Sequence, residues 1–369
     1  MTDTCSTITF ISDVMPTGFD PTNAVPATIE FGAAVAIDGT IMAAGAPADG
    51  GTGAVYVYMK QNGSWDFHHR ITPPAIASNG ARFGEAIDVT GGHIVIGAPD
   101  DDNNAGGVYV FALSASGTWN SVGARISSPN TSSNFHFGST VSIEQNSNDI
   151  RVAIGEPGYG TGTNEQLGAV HTFTHSPTST AWYAEQTLLS TNPFQQFGRR
   201  VDLHHETLAV SAGGEDAVWI YDRSGNSWTE QQKLDGLDKL VYHDEDSTTF
   251  SSKLPIALSA DLLVIGVPGA DVESVSDYGA ALIYERENTS WARTVEVLPD
   301  IPPSLTLELA FGYHVAASSN RVMVASYDCA QVYVVERHEG TWQTPRKLQG
   351  DFSGSDQNPS IALSEEVAV

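Results

Sequence analysis

Phe83-Gly84-Glu85-Ala86-Ile87-Asp88-Val89, then Gly91-Gly92, His93-Ile94-Val95-Ile96 and Gly97-Ala98-Pro99, is the stretch that decides the fold. Apolar and polar residues alternate up to the Gly-Gly pair and the apolar run resumes after it, as in two antiparallel strands joined by a tight turn. Pro99 has no amide hydrogen for a ladder, so the second strand stops there. An Asp/Asn/Gly loop leads to a third strand, Gly107-Val108-Tyr109-Val110-Phe111. After a polar turn from Ser114 to Gly117, Trp119 precedes a more polar outer strand from Ser121 to Ile126. The unit is a four-stranded antiparallel meander.

The same text recurs along the chain. Its starts are Phe31-Gly32, Phe83-Gly84, Phe137-Gly138, Phe197-Gly198, Phe250-Ser251 and Phe311-Gly312, separated by 52, 54, 60, 53 and 61 residues. Gly45-Ala46-Pro47, Gly155-Glu156-Pro157 and Gly266-Val267-Pro268 match the turn after the second strand, whereas Ser211-Ala212-Gly213 and Ala325-Ser326-Tyr327 have drifted. Trp65, Trp119, Trp182, Trp228, Trp291 and Trp342 recur once per unit and read as packing between neighbours. Sheets of this kind cannot bury both faces alone, and a radial arrangement lets each pack on the next, so the periodicity predicts one all-β β-propeller over residues 1–369.

The chain ends suggest a further blade. Ser360 to Val369 copies the hairpin text of Pro255 to Val264, and Ser6-Thr7-Ile8-Thr9-Phe10-Ile11 reads as a strand without its own hairpin. The expected architecture is a seven-bladed propeller, its seventh blade closed by residues 352–369 together with 5–13. In that arrangement Cys5 and Cys329 face one blade boundary, either as a disulfide or as two packed thiols.

Phe-Gly and Gly-Ala-Pro in this order and period resemble the FG-GAP repeats of integrin α-subunit propellers and related proteins. The resemblance implies a seven-bladed, extracellular or cell-surface propeller that acts in adhesion or ligand binding without catalysis. It also implies Asp-x-Asp-x-Asp-Gly calcium loops in the hairpins between first and second strands. None of the six turns here, from Asp38-Gly39 to Ser318–Asn320, carries that set.

A formal charge of −27, from 44 acids against 17 bases, argues against nucleic-acid binding, which needs clustered Lys and Arg. No apolar run approaches the roughly 18 residues of a membrane span, and the first residues do not read as a signal peptide. Asn62-Gly63-Ser64, Asn130-Thr131-Ser132 and Asn288-Thr289-Ser290 are glycosylation sequons in turns, which permits a secretory location.

Strand alternation places the acid-rich loops on one face. Asp100, Asp101, Asp102, Asp244, Asp246, Asp271 and Glu273 are the candidate ligand-binding residues there. Asp100, Asp102 and Asn104 have the alternating oxygens of a Ca²⁺ loop, but Ala105 stands where such a loop has Gly, so a bound Ca²⁺ and a solvated turn both stay open. His68-His69 and His204-His205 lack zinc-site spacing, and no Gly-x-Ser-x-Gly elbow is present. The leading expectation is a non-enzymatic module that binds a protein or glycan. The alternatives are a hydrolase or lyase at the mouth of the central channel, or a structural module of a larger surface protein.

Overall fold

The computed structural model describes residues 29–74, 77–130, 134–146, 149–160, 167–190, 196–237, 254–272, 275, 277–299, 310–327, 331–348 and 360–364. Six sheets lie side by side, each a meander whose strands pair in chain order; the last also holds the short pair Arg346–Lys347. In blade 2, Ala86–Thr90 pairs with His93–Ala98 so that Ile87 lies opposite Ile96. Its turn is Gly91-Gly92, with φ of 51° and 80°, the left-handed pair that a two-residue hairpin requires. Gly107–Leu113 is the third strand and Trp119–Ser121 the fourth.

Burial changes with distance from the axis. The second strands Ile41–Ala46, Thr207–Ala212 and Leu262–Val267 are buried at every residue, because a neighbouring blade covers each face. Outer strands such as Ser64–Ile71 keep many residues exposed, and their sequences are correspondingly polar. Inner strands of consecutive blades pack against one another around a central channel.

The two halves of the repeated text meet across blade boundaries. The Phe-Gly glycines Gly84, Gly138, Gly198 and Gly312 have φ between 83° and 97°, a conformation that Gly adopts without strain. A Cβ built on Gly45, Gly97, Gly155 or Gly266 of the preceding blade would run into their carbonyl oxygens. The Phe backbones continue the contact through bridges Gly53 to Phe83, Gly106 to Phe137, Gly168 to Phe197 and Gly279 to Phe311. The rings of Phe83, Phe137, Phe197 and Phe311 are at most 1% exposed. Each lies against an aromatic or imidazole ring near the start of the third strand of its own blade, as Phe83 does on Tyr109 at 5.5 Å.

The tryptophans also join blades. Trp119 Nε1 donates to His68 Nδ1 of blade 1 at 3.3 Å, and Trp182 Nε1 donates to the Val122 carbonyl of blade 2 at 3.0 Å. Gln186 and Gln232 each clamp the backbone of the next blade's tryptophan, Trp228 and Trp291, through both amide atoms.

Six complete blades are described, not the seven expected. Of the residues expected to close a seventh, 5–13 and most of 352–369 lie outside the described residues, so no seventh four-stranded sheet is among them. Ser360–Ser364 are described. Ile361 and Leu363 pack on blade 6, Ala362 packs on blade 1, and the segment lines the channel between those blades. Cys5 and Cys329 lie outside the described residues.

Candidate functional site

The acids of the loop face mostly serve the blades that carry them. Asp49 accepts from the Tyr56 hydroxyl at 2.8 Å and from Arg70 Nε at 2.8 Å, tying the loop before the third strand to the third and fourth strands. Asp101 repeats the arrangement in blade 2. It is 2% exposed, accepts from the Tyr109 hydroxyl and the Ser78 amide at 2.8 Å each, and pairs with Arg125 at 2.9 Å. Burial alone would raise the Asp101 carboxyl, but the bonds from Ser78 and Tyr109 and the Arg125 charge outweigh it and hold it below its usual value.

Other blades vary the same latch. In blade 3, Glu156 Oε2 lies 2.7 Å from His171 Nε2, and His171 Nδ1 lies 3.0 Å from Thr187 Oγ1. Blade 4 pairs Glu215 with Lys233 at 2.6 Å, the ammonium standing over the Trp219 ring. In blade 6 the Tyr333 hydroxyl donates to Gln331 Oε1 at 2.9 Å.

Among the described residues, the nominated loop acids Asp100, Asp101, Asp102 and Asp271 each stand in their own surroundings. Asp101 is held in its latch, and Asp271 is 3% exposed and accepts from the Asp277 amide at 3.0 Å. Asp100 Oδ1 lies 2.9 Å from His136 Nδ1, Asp102 is exposed, and Asn104 Nδ2 donates to Asn134 Oδ1 at 3.2 Å. Among the described residues, no three His, Cys, Asp or Glu form a group that could hold a metal. Asp244, Asp246 and Glu273 lie outside the described residues.

Sequence reasoning missed the carboxylates inside the ring. The central channel, about 550 Å³, is lined by the inner strands of all six blades and by Ile361–Ser364. Five residues after each Phe of the repeat, blades 1 and 6 have Ala36 and Ala316, whereas blades 2, 3 and 4 have Asp88, Ser142 and Asp202. Ser142 Oγ donates to Asp88 Oδ2 at 2.9 Å and stands 3.4 Å from Asp202 Oδ1. Asp88 also accepts from the Ile143 amide of blade 3 at 2.8 Å, and Asp202 from the Leu258 amide of blade 5 at 2.7 Å. Each carboxyl thus binds the next blade's backbone.

Enclosure by protein pushes both carboxyls up, Asp88 to about 6 and Asp202 to about 8; for Asp202 the Asp88 charge adds to the effect. Near neutrality Asp202 keeps its proton and can donate toward Ser142, which donates to ionised Asp88. Such a chain holds and passes a proton, and carboxyls tuned this way are a recognised mark of functional sites. The column of Asp, Ser and Asp against Ala in the repeat was the available signal, hidden because these residues lie in strands and not in loops.

The FG-GAP repeat family profile matches residues 65–111, from the outer strand of blade 1 to the third strand of blade 2. No match was found among curated proteins. Among solved structures, the chain is similar to a protein from Bacteroides uniformis provisionally assigned as a 6-phosphogluconolactonase, with 12% identity, 87% of this chain and 86% of that one covered, and a TM-score of 0.57. It is also similar to a streptogramin B lyase, with 11% identity, coverage of 90% and 87%, and a TM-score of 0.51. Likeness at such identity concerns the fold alone. No helix among the described residues is long and apolar enough to cross a membrane. The matched repeat lies in a row of blades joined through Phe-Gly and Gly-Ala-Pro contacts, an arrangement consistent with an FG-GAP propeller.

Proposed function

We propose that the chain is a non-enzymatic binding module, extracellular or at a cell surface, that presents loops of a rigid propeller to a protein or glycan. The observation that carries this reading is the pairing of its reactive side chains. Asp49, Asp101, Glu156 and Glu215 are committed to latches within blades, and Asp88 and Asp202 to amides across blades. Rigid scaffolds with variable loops suit recognition. As part of the same reading, Ser360–Ser364 form the inner strand of a seventh blade; their position between blades 6 and 1 supports this.

A second reading, a hydrolase or lyase working in the channel, is favoured by one observation: the proton-sharing Asp88, Ser142 and Asp202, whose carboxyls titrate where general acids and bases work. Glycan and protein arrays probed with and without EDTA separate the two when run beside a panel of ester, lactone and glycoside substrates. Binding that persists in Asp88→Asn and Asp202→Asn, without turnover, is the expected result. Turnover abolished by either substitution, or no binding above background in any condition, would overturn the binding reading.

A further inference from the structure

Three residues after the Phe of the repeat, blades 1, 2, 3 and 6 carry Ala34, Ala86, Thr140 and His314, whereas blade 4 carries Arg200. Arg200 stands on the inner strand Phe197–His204, two residues before Asp202. The two side chains therefore leave the same side of the strand, roughly 7 Å apart along it. Both line the central channel, and Arg200 is exposed within it. A solute in the channel can touch the guanidinium directly.

This cation lacks the partner that its counterparts have. Arg70, Arg82, Arg125, Arg223, Arg286 and Arg337 each meet a carboxylate at 2.6–2.9 Å. Among the described residues, Arg200 meets none. Its hydrogen bond runs from Nη1 to the Arg199 carbonyl at 3.1 Å, which leaves most of its N–H donors uncommitted. Glu85, a carboxylate whose charge reaches it, is already held by Arg82 at 2.6 Å. Enclosure by protein and the adjoining Arg199 charge pull Arg200 below its ordinary value, as befits a cation short of counter-charge. An enclosed charge without a partner is destabilising, and an anion bound from solution relieves it.

Beside Arg200 the channel changes from charge to hydrogen bonding. The Ser142 hydroxyl stands between Asp88 and Asp202, and Asp202 keeps its proton near neutrality, so this wall both donates to and accepts from hydroxyl groups. Ionised Asp88 and the formal charge of −27 repel a dianion more than a monoanion. A carboxylate also fits the guanidinium fork through two parallel bonds. The channel volume of about 550 Å³ suits a molecule of sugar size.

We infer that the central channel binds a hydroxylated monocarboxylate of monosaccharide size, its carboxylate on the Arg200 guanidinium and its hydroxyls toward Asp202 and Ser142. The inference goes beyond the binding reading above, which concerns the loops, and it requires no turnover. The test is isothermal titration calorimetry of the full chain at neutral pH with glucuronate and galacturonate, beside glucose, galactose and a hexose phosphate. Wild type is compared with Arg200→Gln, which removes the charge, and Arg200→Lys, which keeps the charge and removes the fork. Arg293→Gln, on the outer strand Ser290–Val297, controls for net charge. Arg200 and Arg293 are both exposed, and thermal denaturation confirms that each variant folds.

At least one uronate is expected to bind wild type and Arg293→Gln alike and to bind Arg200→Gln about tenfold or more weakly, with Arg200→Lys between them. The neutral sugars are expected to bind more weakly than their uronates. Equal uronate binding by Arg200→Gln, or an equal loss in Arg293→Gln, would overturn the site. A hexose phosphate bound more tightly than the uronates would overturn the carboxylate assignment, and no uronate binding by wild type would overturn the site outright. The loop arrays decide the binding reading separately from each of these results.

Discussion

At the scale of single residues, the repeated words are rules of close approach. Gly97 faces the carbonyl of Gly138 in the next blade, and Gly84 folds back to donate its amide to Gly97 at 3.0 Å, so both glycines serve one seam. The same reasoning accounts for the drift. Ser211 and Ala325 stand at the Gly97 position in blades 4 and 6, and in the sequence the next units lack a Phe-Gly pair, reading Phe250-Ser251 after Ser211 and no Phe-Gly after Ala325. Where the facing glycine is gone, the matching one is not required. Gly97→Ala is therefore expected to destabilise the protein by about 1–3 kcal/mol through overpacking of a backbone seam. Thermal or urea unfolding checks it, and a neutral outcome would mean that the seam is not tight.

At the scale of elements, a strand's composition follows from the number of its faces that are covered. Leu262-Leu263-Val264-Ile265 has no polar face because blades press on both sides, whereas Ser64–Ile71 has one side in water. Acid latches then fix the loop before the third strand, which accounts for the acids at Asp49, Asp101, Glu156 and Glu215. The segment Ser360–Ser364 is the element whose role most affects the ring. If it is an inner strand, Leu363→Ala removes apolar contact with the blade 6 cluster and is expected to cost roughly 1 kcal/mol for a half-buried leucine. An unchanged urea midpoint would remove this segment from the ring.

At the scale of the whole molecule, stability should depend on pH in a direction set by the channel. Asp88 and Asp202 hold protons in the folded state that the unfolded chain releases near pH 4, up to about 6 and about 8 respectively. The folded form binds more protons across that window, so its stability declines as pH rises from about 4 to about 8. Asp101 has the opposite sign. Its carboxyl is held low, and its contribution, present at neutral pH, is lost only as acid protonates it below the ordinary carboxylate range. The expected profile peaks on the acid side of neutrality, with a melting temperature about 4 °C lower at pH 8.5 than at pH 5.5. Repulsion from the −27 charge adds to the decline but barely changes with one substitution. Asp202→Asn, which keeps a polar group without the charge, should flatten the profile; an equal slope in the variant would show that the channel does not set it.

The sequence by itself determined the all-β class, the meander order and the propeller, because a pattern repeated six times reports local strand alternation and turn chemistry at every copy. It also made the tryptophans legible as packing, since one large aromatic per unit has little else to do. Only the tertiary structure decided which polar residues are free. Asp101 read as a surface ligand and is instead buried against Tyr109 and Arg125, while Asp88 and Asp202 passed as ordinary strand residues and prove to share a channel with Ser142. The uncommitted guanidinium of Arg200 was equally invisible, because only the packing of blades around the channel encloses it. The reason is physical: local order depends on neighbours in the chain, whereas the charge state and partners of a side chain depend on residues from 8 to 60 positions away, brought near only when blades fold and pack on one another.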